Sequence, residues 1–104
     1  MPQFIYVYHG GKKPDTPEEG EKSMAAWMAW FESMGDAVVE AGNPVGMSKT
    51  VSRSGVTDDG GANPVSGYSV VSAETIEAAT EMAGGCPMVA DGSGSIEVAE
   101  ILEM

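Results

Sequence analysis

Residues 4–11 read FIYVYHGG, and the way this stretch is covered decides the fold. The run Phe4-Ile5-Tyr6-Val7-Tyr8 is β-branched and aromatic, as strands prefer. Alternation then puts Ile5, Val7 and His9 on one face and Phe4, Tyr6 and Tyr8 on the other. A strand with one wetted face alternates apolar and polar residues, whereas this one is apolar on both. Cover is therefore expected on both sides. The strand stops at Gly10-Gly11, just after the only histidine of the chain, and these glycines would let a ligand approach the backbone.

Outward from the strand, a polar loop through Lys12, Lys13 and Pro14 leads to a helix start. Thr16 suits the N-cap, Pro17 the first helical position and Glu19 the acid of a capping box. Met24, Trp27, Met28, Phe31, Met34 and Val38 follow as an apolar stripe, with Glu21, Glu32 and Glu40 off it, so the pattern predicts an amphipathic helix ending near Gly42. Gly35 is the place where that helix can bend or break. A strand is expected around Thr50 and Val51, a loop over VTDDGGANPVSG, and a strand at YSVVS. Ser72 is positioned to cap a second helix over AETIEAATEMAGG, which Gly84-Gly85 and Pro87 stop, and a last strand falls around Ile96 to Ile101.

The order β-α-β-β-α-β is that of a ferredoxin-like plait, an α+β fold in which one antiparallel sheet carries two helices on one face. Two helices leave the second face of the first strand bare. A second subunit is expected to cover it, making an isologous homodimer.

The chain has 104 residues and is expected to be a single domain, 1–104. Five Lys and Arg stand against 16 Asp and Glu, and the formal charge of −11 repels nucleic acid and anionic membranes. Cys86 is the only cysteine, which excludes an internal disulfide framework and a cysteine-based zinc site. Asp58-Asp59 lacks the ligand spacing of a calcium loop, GSG at 92–94 precedes a strand and not a helix, and no P-loop, G-x-S-x-G or H-E-x-x-H occurs. No cofactor or metal is expected. Without an export signal or an apolar run long enough to span a bilayer, a cytoplasmic location is expected.

His9 is the natural acid or base because its ordinary pKa lies close to neutrality. The alternative is a strand-end imidazole hydrogen-bonded to the main chain. Tyr68, Lys49 and Asn63 are candidates to line a ligand pocket with it, as a hydroxyl, a cation and an amide. Trp27, with Trp30 and the neighbouring methionines, can form an apolar wall, although residues at helical spacing also make ordinary core.

The strand ending YVYHGG, the helix MAAWMAWFESMG running into AGNPVG, the block GANPVSGYSVV and the tail GCPMVADGSGSIEVAEI together resemble the YCII-related domain family in its DGPF-like branch, over nearly the whole chain. The resemblance implies a dimeric α+β barrel, with two sheets face to face around a central space. Some relatives carry a catalytic His-Asp pair on the first helix. Here the stretch around Ala25 to Trp27 has no histidine, Asp36 lacks a partner, and DDGGANP stands where Asp-Gly-Pro-Phe is expected. The implied function is binding of a small organic metabolite, aromatic or lactone-like, in a cavity of a homodimer. Cofactor-free proton transfer, isomerisation or elimination would run through His9, with Tyr68 or Lys49 steadying charge. The alternative is a non-catalytic binding or accessory module.

Overall fold

The structure is a computed structural model describing residues 1–11 and 13–104. Lys12, which the sequence puts in the first loop, lies outside the described residues. Among the described residues ten elements follow in order: β1 (Gln3–Gly10), α1 (Pro17–Met34), a 3-10 turn (Gly35–Ala37), β2 (Val38–Glu40), β3 (Thr50–Ser52), β4 (Gly55–Thr57), β5 (Val65–Ser72), α2 (Ile76–Ala83), α3 (Pro87–Ala90) and β6 (Gly94–Glu100). The main sheet has the order β2-β5-β1-β6, with every neighbouring pair antiparallel. This is the strand order of the ferredoxin-like plait. No helix of the described residues is long and apolar enough to cross a membrane.

Local chemistry explains where elements start and stop. Thr16 caps α1 by accepting the Glu19 N–H at 3.1 Å, and the Glu19 carboxylate reaches back to the Asp15 N–H at 2.9 Å, one residue earlier than a standard capping box. The helix ends at Met34 and not near Gly42. Gly35 takes a φ of +55°, which a glycine adopts without steric cost, and the β-branched Val38 and Val39 then enter β2 beside β5.

That early exit shifts the expected second strand. Thr50–Ser52 is indeed extended, but it pairs with β4 in a hairpin outside the main sheet, and β2 takes the sheet position instead. The stretch read as loop from Val56 onward therefore begins inside β4. Thr75, not Ser72, caps α2 by accepting the Ala78 N–H at 3.1 Å. Ser72 stays in β5, and Pro87 opens the short α3 as well as ending what precedes it.

The core lies between the sheet and its helices. Phe4, Tyr6 and Tyr8 are buried with Trp30, Val71, Ala79, Cys86 and Met88. Tyr6 stacks on Trp30 of α1 with ring centres 6.1 Å apart and donates its hydroxyl to the Ala79 carbonyl of α2, which places both helices on one face. Trp30 Nε1–H donates to the Met82 carbonyl at 2.9 Å. The Tyr8 hydroxyl lies 2.7 Å from Ser69 Oγ, which itself donates to the Ala41 carbonyl at 2.6 Å, so this buried chain of polar groups is satisfied. Burial pushes the Tyr6 hydroxyl up to about 12 and that of Tyr8 further still. The apolar stripe of α1 is narrower than its sequence suggests: Trp27, Trp30, Phe31 and Met34 face inward, while Met24 and Met28 are exposed.

Candidate acid-base site on the open sheet face

The face of the sheet away from the helices carries Ile5, Val7 and His9 from β1. Val70 and Tyr68 of β5 stand opposite Ile5 and Val7, and Glu97 of β6 stands opposite Val7 on the other side. Side chains paired across neighbouring strands share a face. Tyr68, Val7 and Glu97 thus form a row across three strands, with His9 one same-face position further along.

A bulge re-aims His9. After Tyr8 pairs with Gly67, His9 pairs with Val65 and leaves Ser66 as the extra residue on β5. The imidazole then sits between two acceptors, with Nδ1 3.2 Å from the Pro64 carbonyl oxygen and Nε2 3.0 Å from Glu97 Oε1. A carbonyl can only accept, so Nδ1 carries a hydrogen. An ionised carboxylate also only accepts, so Nε2 is held best when it carries one too. The arrangement favours the imidazolium. Burial opposes the charge, but the hydrogen bonds to Glu97 and to the Pro64 and Asn63 carbonyls, with the negative charge of Glu97, outweigh it and raise the His9 pKa above its ordinary value of 6.5. The His9 side chain is 12% exposed and that of Glu97 70%, so the ring is the enclosed member of the pair and the acid the solvent-facing one.

The predicted site residues fall in three places. Tyr68 shares the face with His9, is 36% exposed, and its hydroxyl has no hydrogen-bond partner among the described residues. Asn63 adjoins His9 through its backbone. Lys49 stands apart at the base of the β3–β4 hairpin, paired to Asp58 at 3.3 Å with both side chains largely exposed. Trp27 packs edge-on to Tyr8 at 5.2 Å on the helix-covered side, so the sheet lies between it and His9. Gly10 and Gly11 serve the chain itself: at φ of +79° and +100° they run against Ser93 and Gly94, and the Gly11 N–H donates to the Ser93 carbonyl at 2.9 Å.

Glu97 is the functional candidate that the sequence reading missed. Its signal was the alternation Ser95, Glu97, Ala99 against Ile96, Val98 in the last strand, which marks an acid on the less buried face. Knowing that it meets His9 needs the β1–β6 register, which no local pattern carries. Cys86 is fully buried and burial pushes its thiol up, which leaves it unreactive. Two shallow hollows among the described residues, one around Ala73 and Met82 and one around Gln3 and Leu102, are not lined by His9.

No family model matches the chain, and no curated protein sequence does. Among solved structures the chain is similar to 5-chloro-2-hydroxyhydroquinone dehydrochlorinase from Burkholderia phenoliruptrix in complex with 2,5-dihydroxybenzoquinone, at 13% identity and a TM-score of 0.57 over 96% of this chain and 95% of that one. At that identity the likeness establishes a shared α+β fold.

Proposed function

We propose that this chain is a YCII-related protein of the DGPF-like branch, a cytoplasmic homodimer that binds a small organic metabolite on the face bearing His9, Glu97 and Tyr68. The observation that carries the reading is the imidazole held between the Pro64 carbonyl and the Glu97 carboxylate. In its protonated form, which these contacts favour, His9 is an acid. A ligand carrying negative oxygen, such as an enolate or a hydroxyquinone, would displace the exposed Glu97 carboxylate, take the Nε2 hydrogen bond and become the group that His9 protonates. The Tyr68 hydroxyl is free to donate to a second oxygen. Cofactor-free proton transfer, isomerisation or elimination is the chemistry these groups can perform. The fold shared with a dehydrochlorinase that holds a hydroxyquinone supports this class of ligand over others.

A second reading, a non-catalytic binding or accessory module, draws on the same geometry. Both ring nitrogens are already occupied, so His9 acts only if Glu97 leaves. The experiment is an NMR titration of the His9 ring, the chain's single imidazole, with 2,5-dihydroxybenzoquinone as probe. Saturable displacement of the His9 signals, kept in Glu97→Ala, which vacates Nε2, and weakened in Tyr68→Phe, together with loss of probe binding in His9→Gln, is the expected result. Signals that ignore the probe at high concentration overturn the ligand reading for this face.

A further inference from the structure

Asn-Pro-Val occurs twice, at 43–45 and 63–65, and the fold brings both copies to the end of β5 nearest His9. The second copy leads into β5 and supplies the Pro64 carbonyl that holds the imidazole. The first runs along the edge of β5 away from β1, where it continues the place of β2 in the sheet. The Asn43 carbonyl accepts the Tyr68 N–H at 3.3 Å, Pro44 bridges to Gly67, and the Val45 N–H donates to the Ser66 carbonyl at 3.0 Å. At Gly42 the approach is so close that a Cβ would lie 1.8 Å from the Tyr68 carbonyl oxygen. Only glycine fits there, and its φ of +75° suits glycine as well.

The Val45 bond falls on Ser66, the residue that the bulge leaves out of the β1 ladder. A bulge leaves its extra residue unpaired, and an unpaired main-chain carbonyl costs free energy when it is partly buried. Val45 supplies the missing donor. Without it, regular pairing of Ser66 with His9 gains on the bulge, and a slip of one residue would turn Pro64 and Val65 to the opposite faces and withdraw the Pro64 carbonyl from Nδ1. We propose that residues 42–45 are a positioning strap for the acid-base site, holding the Ser66 bulge so that the Pro64 carbonyl meets His9, and holding Tyr68 in its row. Glu97 arrives from β6, on the other side of β1, so the strap sets one of the two His9 contacts and not the other. Its bearing on ligand binding rests on the acid-base reading of this face; its bearing on the His9 ring does not.

Val45→Pro deletes the N–H that Ser66 uses, at an exposed position, and Val45→Ala trims the side chain while keeping that N–H. Pro44, in a β-bridge, already has the extended backbone that a following proline requires. The His9 ring of the whole chain is followed by NMR, first against pH and then against 2,5-dihydroxybenzoquinone. In Val45→Pro the midpoint is expected to fall toward the ordinary 6.5, because Nδ1 loses an acceptor that favours the imidazolium. Probe affinity should fall at least as far as in Tyr68→Phe. Val45→Ala is expected to match the wild type in both readings. A Val45→Pro midpoint equal to that of the wild type, or a fall that Val45→Ala reproduces, overturns the strap. Amide hydrogen exchange of the wild type tests it without any variant: the Val45 amide should exchange far more slowly than that of the exposed Met47, and equal rates overturn the strap. A midpoint that falls in Val45→Pro while the wild type ignores the probe would keep the strap and remove the ligand reading.

Discussion

The two faces of β1 are built from the same eight residues and do opposite things. Phe4, Tyr6 and Tyr8 point under the helices, where each ring is buried and both tyrosine hydroxyls find partners within the chain. Ile5, Val7 and His9 point the other way, half-buried, with one polar clamp at the end of the row. Stability is invested in the first face because its polar groups are closed off and its rings interdigitate. The second face keeps partly buried apolar surface and the His9–Glu97 pair, and it is there that the proposed ligand would bind. A substitution should therefore cost folding on one side and assembly or titration on the other.

The largest effect is expected on the covered face. Trp30→Ala removes the ring that stacks on Tyr6 and contacts Phe31, together with the hydrogen bond to Met82, and should lower unfolding stability by about 3–5 kcal/mol in a urea titration. A loss below about 1 kcal/mol would show that α1 is not fixed to the sheet as described. Ser69→Ala is smaller. It leaves the buried Tyr8 hydroxyl and the Ala41 carbonyl without their shared partner, a loss of about 1–3 kcal/mol, and Ser69→Thr should recover part of it if the added methyl fits.

On the open face, Val7→Ser is expected to cost under about 1 kcal/mol when unfolding is followed in dilute solution, because that side chain is only partly buried within the chain. If the proposed homodimer forms through this face, the same variant should sediment as a monomer at concentrations where the wild type sediments as a dimer. If instead it unfolds as badly as Trp30→Ala, the two faces are not distinct. The smallest effect concerns pH. A His9 pKa raised by folding contributes stability that is fully present below the unfolded pKa and is lost as pH rises through the folded pKa. Stability should thus fall gently from just above pH 6.5 upward in the wild type, and the fall should flatten in Glu97→Gln.

Much of the covered face was legible in the sequence, because its signals are local. Thr16 and Pro17 mark the start of α1 by side-chain chemistry, and Phe4, Tyr6 and Tyr8 mark the buried side of β1 by alternation. The errors came where tertiary pairing overrode a local pattern. Val38 has helical spacing from Phe31 and Met34, yet Gly35 breaks the helix and β5 offers a ladder that its β-branched side chain suits. Ser72 looks like a cap until the strand partner of Gln3 claims it. The candidate site was less legible. His9 stood out by residue type, but its partner Glu97 lies 88 residues further along and meets it only through the register of β1 with β6. Lys49 and Trp27 were grouped with His9 by chemistry alone, and the fold puts one at the base of the β3–β4 hairpin and the other behind the sheet.

The central claim is that the face away from the helices favours the imidazolium of His9, held between the Pro64 carbonyl and the exposed Glu97 carboxylate. Its most direct test is the pH titration of the His9 ring by NMR in the wild type and in Glu97→Gln. The account predicts a midpoint above 6.5 in the wild type, and a clear fall in the variant, whose amide retains an acceptor but not the charge. A wild-type midpoint at or below 6.5, unmoved by the substitution, would contradict it.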